Sequence, residues 1–177
     1  MVVPANSVVI IVVILQPTQV VVQQNQVEHP PISCETGNVS FTKEQGTDFV
    51  IDGGGETCIS AKGNCTVTID PENIILQNCG PCIDARGTAQ VVLTANDGSI
   101  SCDAGENGIS TVGNAVVNVS ASDTVTIHSG RNGIQAVGNS SVNIIGTVGC
   151  TIQGGENAVQ QQGNATVNID GCGGSQD

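Results

Sequence analysis

Residues 105–129 read GENGISTVGNAVVNVSASDTVTIHS, and residues 130–154 read GRNGIQAVGNSSVNIIGTVGCTIQG. The two stretches match position by position. The same pattern extends in both directions at a spacing of 25 residues, marked by Gly55, Gly80, Gly105, Gly130 and Gly155. An internal repeat of this length indicates a fold built from stacked, similar units. The repeat therefore decides the fold class before any single residue is considered.

Apolar and polar residues alternate within each repeat, which is the periodicity of a β-strand. Three short strands are predicted per repeat. A glycine follows the first strand each time, at Gly63, Gly87, Gly113, Gly138 and Gly163, and it indicates a corner with a positive φ or a tight bend. The sequence thus predicts an all-β, parallel, three-sided β-helix of about six rungs, each of about 25 residues. A right-handed coil is expected, because parallel crossovers are nearly always right-handed.

The N-terminal segment departs from the repeat. Residues 1–29 are predicted to form an extended apolar connector arm, and residues 30–177 the β-solenoid domain. The candidate self-assembly residues of the arm are Val8, Val9, Ile10, Ile11, Val12, Val13, Ile14 and Leu15. This run is shorter than the roughly 20 residues of a membrane-spanning helix, and the features of a secretory signal are not evident. The arm is expected to reach another subunit, and a cap rung on its own solenoid is the alternative.

The composition restricts both core and partners. There is no Trp or Tyr and there are only two Phe, so the core must come from Val, Ile, Ala and Cys, which suit pleated strands. The net charge is −12, with Lys43, Lys62, Arg86 and Arg131 as the cations. We expect no nucleic acid binding, because phosphate neutralisation needs many Lys and Arg residues. An anionic membrane surface is disfavoured for the same reason.

Eight cysteines are disulfide candidates: Cys34, Cys58, Cys65, Cys79, Cys82, Cys102, Cys150 and Cys172. Cys58 and Cys82 precede equivalent isoleucines, so they are predicted to stack on adjacent rungs about 4.8 Å apart, within the Cα range of a disulfide. Cys79 is predicted to reach Cys102 in the same way. The first and last cysteines are expected to pair within the chain or with a neighbouring subunit. An oxidising environment is favoured.

Polar residues also recur at fixed positions, and stacked Asn side chains bond amide to amide along the axis of in-register strands. One predicted ladder contains Asn64, Asn114, Asn139 and Asn164, and a second contains Asn118, Asn143 and Asn168. Glu106, Arg131 and Glu156 share one repeat position. Arg131 is therefore predicted to lie between two carboxylates and to support the register, at about 0.2–1 kcal/mol per exposed pair.

Other motifs have a structural explanation. The tetrapeptide at residues 79–82, CGPC, matches the dithiol motif of thioredoxin-like oxidoreductases, but a strand rather than a helix is predicted after it. Five Asn-x-Ser/Thr sequons follow from the repeated corner Asn and the Ser or Thr of the next strand. His29 and His128 are isolated, and no paired carboxylates follow from the spacing. No catalytic residue, metal or cofactor is expected.

The repeat region resembles the parallel β-helix proteins, including pectate-lyase-like and polygalacturonate-binding members, over about residues 30–172. The whole arrangement resembles self-assembling bacterial surface fibres, among them endospore appendages. Their subunits join a β-rich, cysteine-bearing domain to an N-terminal connector that docks in the next subunit. This second resemblance is architectural. It implies a homopolymer, a location outside the cell or on the spore or cell surface, and an anchor or tip protein as a further partner.

Three functions therefore compete. The first is a structural, non-enzymatic subunit that assembles head to tail into a fibre, because open solenoid ends and an apolar arm favour polymerisation. The second is a carbohydrate-binding or carbohydrate-degrading β-helix, which lacks the aromatic platforms that sugars prefer. The third is an ice-binding solenoid, which the mixed outward residues of the second strand, such as Thr66, Val92 and Asn118, disfavour.

Overall fold

Every secondary-structure element is a β-strand in the computed structural model, which describes residues 25–42 and 47–171. In chain order the strands are β1 (Asn25–His29), β2 (Ile32–Thr42), β3 (Thr47–Asp52), β4 (Ile59–Asp70), β5 (Asn73–Cys79), β6 (Ile83–Gly87), β7 (Gln90–Ala95), β8 (Ile100–Ala104), β9 (Ile109–Gly113), β10 (Val116–Ala121), β11 (Thr124–Ser129), β12 (Asn132–Gly138), β13 (Ser141–Gly146), β14 (Gly149–Gly154), β15 (Asn157–Gly163) and β16 (Thr166–Asp170). All of their pairings are parallel.

The strands stack in three columns, which form the three faces of a parallel β-solenoid. Face A contains β1, β3, β5, β8, β11 and β14. Face B contains residues 32–34 of β2, residues 59–61 of β4, and then β6, β9, β12 and β15. Face C contains residues 36–42 of β2, residues 66–69 of β4, and then β7, β10, β13 and β16. The predicted all-β parallel solenoid of about six rungs is confirmed.

β2 and β4 each continue around the corner between faces B and C, whereas the later rungs break there into two strands. Gly63 lies at this corner with a φ of 61°, and the equivalent glycines of the next four rungs have φ values of 77°, 87°, 89° and 76°. Side chains with a Cβ rarely adopt this backbone region. The glycines predicted at the corner are therefore required by the bend itself.

The core consists of inward columns that repeat from rung to rung. On face C the column pairs are Val39/Phe41, Val67/Ile69, Val91/Leu93, Val117/Val119, Val142/Ile144 and Val167/Ile169. Successive side chains of a strand point to opposite sides. The alternation of apolar and polar residues therefore places the apolar ones inside every rung, where the parallel register stacks them. On face B, the fully buried Thr111 lies in the column of Ala61, Ala85 and Ala136, and its hydroxyl lies 2.9 Å from that of Ser140.

The solenoid extends further towards the N-terminus than the sequence indicated. β1 pairs with β3 on face A, and Val27 is in register with Phe49. Residues 25–29, which sequence analysis placed in the connector arm, are thus the first strand of face A. The arm residues Val8–Leu15 lie outside the described part of the chain. Among the described residues, no helix is long and apolar enough to cross a membrane.

Candidate functional site

Three disulfides lie in the first half of the solenoid, and they differ from the predicted pairs. Cys34 pairs with Cys65, Cys58 with Cys79, and Cys82 with Cys102, at Cα separations of 5.9, 5.5 and 6.1 Å. The predicted Cys58–Cys82 and Cys79–Cys102 bridges are wrong. Cys150 is also disulfide-bonded. Cys172 lies outside the described residues. Disulfides in this number fit an oxidising, extracellular environment.

The direction of the side chains explains the first error. Residues stacked in register on parallel strands point the same way, so their Cβ atoms stay about 4.8 Å apart, as the strands do. A disulfide needs Cβ atoms about 3.5–4.5 Å apart that point towards each other. Cys58 and Cys82 are such a stacked pair. Each instead pairs across a corner of the solenoid with a cysteine of face A, where the two side chains converge.

The strand register explains the second error. Cys102 is in register with Leu76, so Cys79, three residues further along β5, does not stack on it. The register between β5 and β8 shifts between Leu76 and Cys79, where Asn78 has a φ of 51°, and Cys79 lies opposite Ala104. The two cysteines of the CGPC tetrapeptide, Cys79 and Cys82, belong to different disulfides and are 2 % and 0 % exposed. Each of them closes a separate turn of the solenoid.

Amide ladders occupy the second half of the solenoid. The side-chain nitrogen of Asn143 donates to Asn118 Oδ1, and that of Asn168 donates to Asn143 Oδ1, both at 2.8 Å. At the corner, Asn139 donates to Asn114 at 3.4 Å and Asn164 donates to Asn139 at 3.3 Å. In these two ladders, therefore, each nitrogen points towards the N-terminal end and each oxygen towards the C-terminal end.

Thr88 interrupts the corner ladder between Asn64 and Asn114. Its hydroxyl donates to Asn64 Oδ1 and is within 2.9 Å of the Gly63 carbonyl oxygen. A threonine hydroxyl can therefore take the place of an Asn amide as the donor in this column.

A third ladder was missed by sequence analysis. Asn132 donates to Asn107 Oδ1 at 3.0 Å, and Asn157 donates to Asn132 Oδ1 at 2.9 Å. Gln135 joins this network: it accepts a bond from Asn107 at 3.2 Å and donates to Gln160 at 2.7 Å. Asn132 is only 1 % exposed. The signal was present as the recurring Gly-Glu-Asn and Gly-Arg-Asn triplets, but the pattern alone did not show that the position is buried.

Glu106, Arg131 and Glu156 stack through their backbones. The N–H of Arg131 donates to the Glu106 carbonyl oxygen, and the N–H of Glu156 donates to that of Arg131. The Arg131 guanidinium lies 3.5 Å from a carboxylate oxygen of Glu156. Both side chains are more than half exposed, so solvent screens the pair and it contributes little to the free energy of unfolding.

The C-terminal end of the described solenoid leaves the core open. Val142 and Ile144 are fully buried, but Val167 and Ile169, in the same two columns one rung later, are only partly buried. Ile152 on face A and Val159 on face B are likewise partly buried. The strands at this end are β14, β15 and β16, which pair on one side only within the described residues. This end is therefore an apolar cross-section bordered by strand edges.

The N-terminal end is different, because it holds both phenylalanines of the chain. The His29 ring stacks on Phe49 at a centroid distance of 4.0 Å and meets Phe41 edge-on at 5.1 Å. Together with Val27 and Pro71 these rings line a cavity of about 300 Å³. The first strands at this end, β1 and β2, also pair on one side only within the described residues.

Two charged side chains of the described residues have pKa values shifted by their hydrogen-bond partners. The pKa of the Asp52 carboxyl is lowered first by the side-chain amide of Asn78 at 3.0 Å, and then by the backbone N–H of Gly54 at 3.0 Å. The pKa of the Arg86 guanidinium is raised by its hydrogen bond to Asp84 at 2.9 Å. Over residues 25–42 and 47–171, no three His, Cys, Asp or Glu side chains are grouped to hold a metal ion.

The two solenoid ends are thus the candidate functional surfaces, and comparison with protein-family models, with curated proteins and with solved structures returned no match.

Proposed function

We propose that this chain is a structural subunit that assembles head to tail into an extracellular fibre. The observation that carries the proposal is the open C-terminal cross-section, where core columns that are fully buried at Val142 and Ile144 become only partly buried at Val167 and Ile169. Burying apolar surface stabilises an assembly by about 25 cal/mol per Å². A second copy placed on this end completes the burial.

Contacts between the two ends of the solenoid can repeat from one subunit to the next. All strand pairs are parallel, so the N-terminal and C-terminal ends of the solenoid are different surfaces. A contact between two different surfaces is heterologous, and it builds an open filament when it does not close into a ring. The free strand edges favour the same outcome, because their unpaired N–H and C=O groups are ready to pair with another chain.

In this proposal, residues 1–24 connect neighbouring subunits. Fully extended, they reach about 80 Å at about 3.3 Å per residue, which is more than twice the roughly 29 Å height of six rungs. The apolar residues Val8–Leu15 then dock on the adjacent subunit. The disulfides hold the rungs rigid outside the cell, on a cell or endospore surface, and an anchor or tip protein ends the fibre. The role is architectural and not catalytic.

Negative-stain electron microscopy of the purified full-length chain tests the proposal, beside a variant that begins at residue 25. The variant keeps β1, so the described solenoid stays intact. Fibres are expected from the full-length chain, and shorter or fewer fibres from the truncated chain. A full-length protein that remains monomeric at concentrations well above those used on the grid contradicts the proposal.

A matched pair of substitutions separates the end of the solenoid from its side. Val167→Lys places a charge in the open cross-section, so it is expected to abolish fibres while the monomer keeps its β-sheet circular dichroism. Ile145→Lys places the same charge on the side of face C, where Ile145 is already 47 % exposed, and fibres are expected to persist. Equal loss of fibres in both variants contradicts the assignment of the contact to the end.

A further inference from the structure

Over the described residues, the three faces contain the same number of strands. The first described strand, β1, lies on face A, and the last, β16, lies on face C. Around the coil, the strand order is B, then C, then A, as in β6, β7 and β8. In this order a face C strand such as β16 is followed by a face A strand, and β1 of a second copy is such a strand.

From this strand order we infer that the next subunit continues the coil directly, with its first rung stacked in register on the last described rung of this subunit. The inference rests on the proposed function and adds the partner surface and its register. β1 of the next subunit pairs with β14, residues 32–34 pair with β15, and residues 36–42 pair with β16. The described residues make six strands per face, so no edge strand is left over at the junction.

The register follows from the columns within one chain. Val39 heads the face C column that runs to Val167, and Phe41 heads the column that runs to Ile169. At the junction, Val39 and Phe41 of the next copy therefore lie over Val167 and Ile169. The partly buried end of each column is then covered by an apolar residue of the same column in the next subunit.

The polar columns are complementary in the same register. The ladders present Oδ1 of Asn164 and Asn168 towards the C-terminal end, because each nitrogen donates to the rung before. Thr36 is in register with Asn64, and Ser40 lies in the Asn168 column. Hydroxyls of the next copy thus meet both oxygens. The bond from Thr88 to Asn64 within one chain is the same donor–acceptor pair as Thr36 over Asn164.

The competing occupant of the C-terminal end is the arm of the neighbouring chain. A single arm strand inserted on one face leaves the other two faces a strand short, so the coil continues only if the arm supplies a whole extra turn. The two arrangements differ in which residues are adjacent and in the length of the repeat. Direct stacking gives an axial subunit repeat of about 29 Å, and an extra turn gives about 34 Å, at about 4.8 Å per rung.

Paired cysteine substitutions test the register. The variant Ser40→Cys/Asn168→Cys places one thiol at each end of face C, and the two thiols of neighbouring subunits are adjacent only in the inferred register. Fibres treated with a short bis-maleimide, which adds to one thiol at each end, are expected to give a ladder of covalent oligomers in denaturing gels. The matched control Ser33→Cys/Asn168→Cys uses an exposed serine of face B, and it is expected to give no ladder. Each single variant is expected to give nothing larger than a dimer.

The outcomes separate the inference from the proposed function. Fibres that show no ladder for Ser40→Cys/Asn168→Cys, or an equal ladder for the Ser33→Cys control, overturn the register and leave fibre formation standing. A ladder from Val12→Cys/Asn168→Cys, together with a repeat of about 34 Å, overturns direct stacking in favour of the arm. The absence of fibres from the parent chain overturns both proposals.

Discussion

The first three rungs and the last three rungs share one backbone plan but are held together by different interactions. Residues 34–102 contain the Cys34–Cys65, Cys58–Cys79 and Cys82–Cys102 bridges. Residues 107–168 contain the Asn and Gln ladders and one disulfide-bonded cysteine, Cys150. The N-terminal half is thus held mainly by disulfides, and the C-terminal half mainly by a repeating hydrogen-bond pattern.

This difference predicts how each half of the solenoid interacts with a neighbouring subunit. A disulfide acts on one pair of residues and stabilises mainly by restricting the unfolded chain. An Asn ladder can continue from rung to rung, because the oxygen of each Asn can accept from the amide of the next rung. The half with ladders is also the half with the open end, at Val167 and Ile169. We therefore expect the disulfide-rich half to anchor the fold and a neighbouring copy to extend the half with the ladders.

Removing one disulfide is expected to have the largest effect on the free energy of unfolding. The variant Cys82→Ala/Cys102→Ala deletes a buried disulfide without leaving a free thiol, and it is expected to lose about 2–5 kcal/mol of unfolding free energy. Denaturant unfolding measures the loss, and hydrogen exchange is expected to show it first in residues 83–104. The substitution Ser101→Ala, next to the bridge, is the control and changes stability little. If the loss of unfolding free energy is no larger than that of Ser101→Ala, the disulfide does not stabilise the N-terminal half in the way proposed.

The core columns allow a comparison of the closed interior with the open end. Ile144→Ala removes a fully buried side chain and is expected to cost about 2–5 kcal/mol in the monomer. Ile169→Ala, in the same column one rung later, is expected to cost clearly less, because its side chain is already partly exposed. Thermal unfolding of monomers measures both. In assembled fibres the two costs are expected to converge, and a persistent gap there contradicts burial of Ile169 by the next subunit.

The ladders can be ranked by burial. Asn132→Ala removes a buried amide that donates to Asn107 and accepts from the exposed Asn157, while Asn107 keeps its bond to Gln135, and the expected cost is about 1–3 kcal/mol. Asn143→Ala breaks the more accessible ladder and is expected to cost about 0.5–1.5 kcal/mol. Urea unfolding of the two variants gives the ranking. If Asn143→Ala lowers the free energy of unfolding more than Asn132→Ala does, burial does not decide which ladder contributes more to stability.

The smallest effect concerns a single carboxyl of the N-terminal half. The pKa of Asp52 is lowered in the folded protein, so its contribution to stability is present above the unfolded pKa and is lost as the pH falls through the folded pKa. Asn78→Gly removes the amide donor and keeps the positive φ. An NMR titration of Asp52 is expected to show a higher pKa in this variant. Gln77→Ala, which removes a longer bond of 3.4 Å, is the milder comparison.

Much of the fold was predictable because its signals are local and repeated. The alternation of apolar residues, the corner glycines and the period of 25 residues recur in every rung. Each recurrence of Gly63, Val67 or Ile69 at the equivalent position supports the same assignment. The ladder of Asn118, Asn143 and Asn168 follows from the same logic, because residues at equal repeat positions stack.

The disulfides and the buried ladder were not predictable from spacing. The partner of Cys58 depends on which way its Cβ points at a corner, and Cys102 does not meet Cys79 because it is in register with Leu76. The burial of Asn132 depends on how tightly the neighbouring rungs close over it. These are properties of three-dimensional placement and not of repeat position.

The sequence alone thus determined a parallel three-sided solenoid, its period, its corners and its core columns, because each depends on a pattern that one rung repeats to the next. Only the tertiary structure decided which cysteines meet, which asparagines are buried, and that the core stays open at Ile169 while aromatic rings close around His29 at the other end. The physical reason is that these features depend on the direction and exposure of individual side chains, which a periodic pattern does not encode.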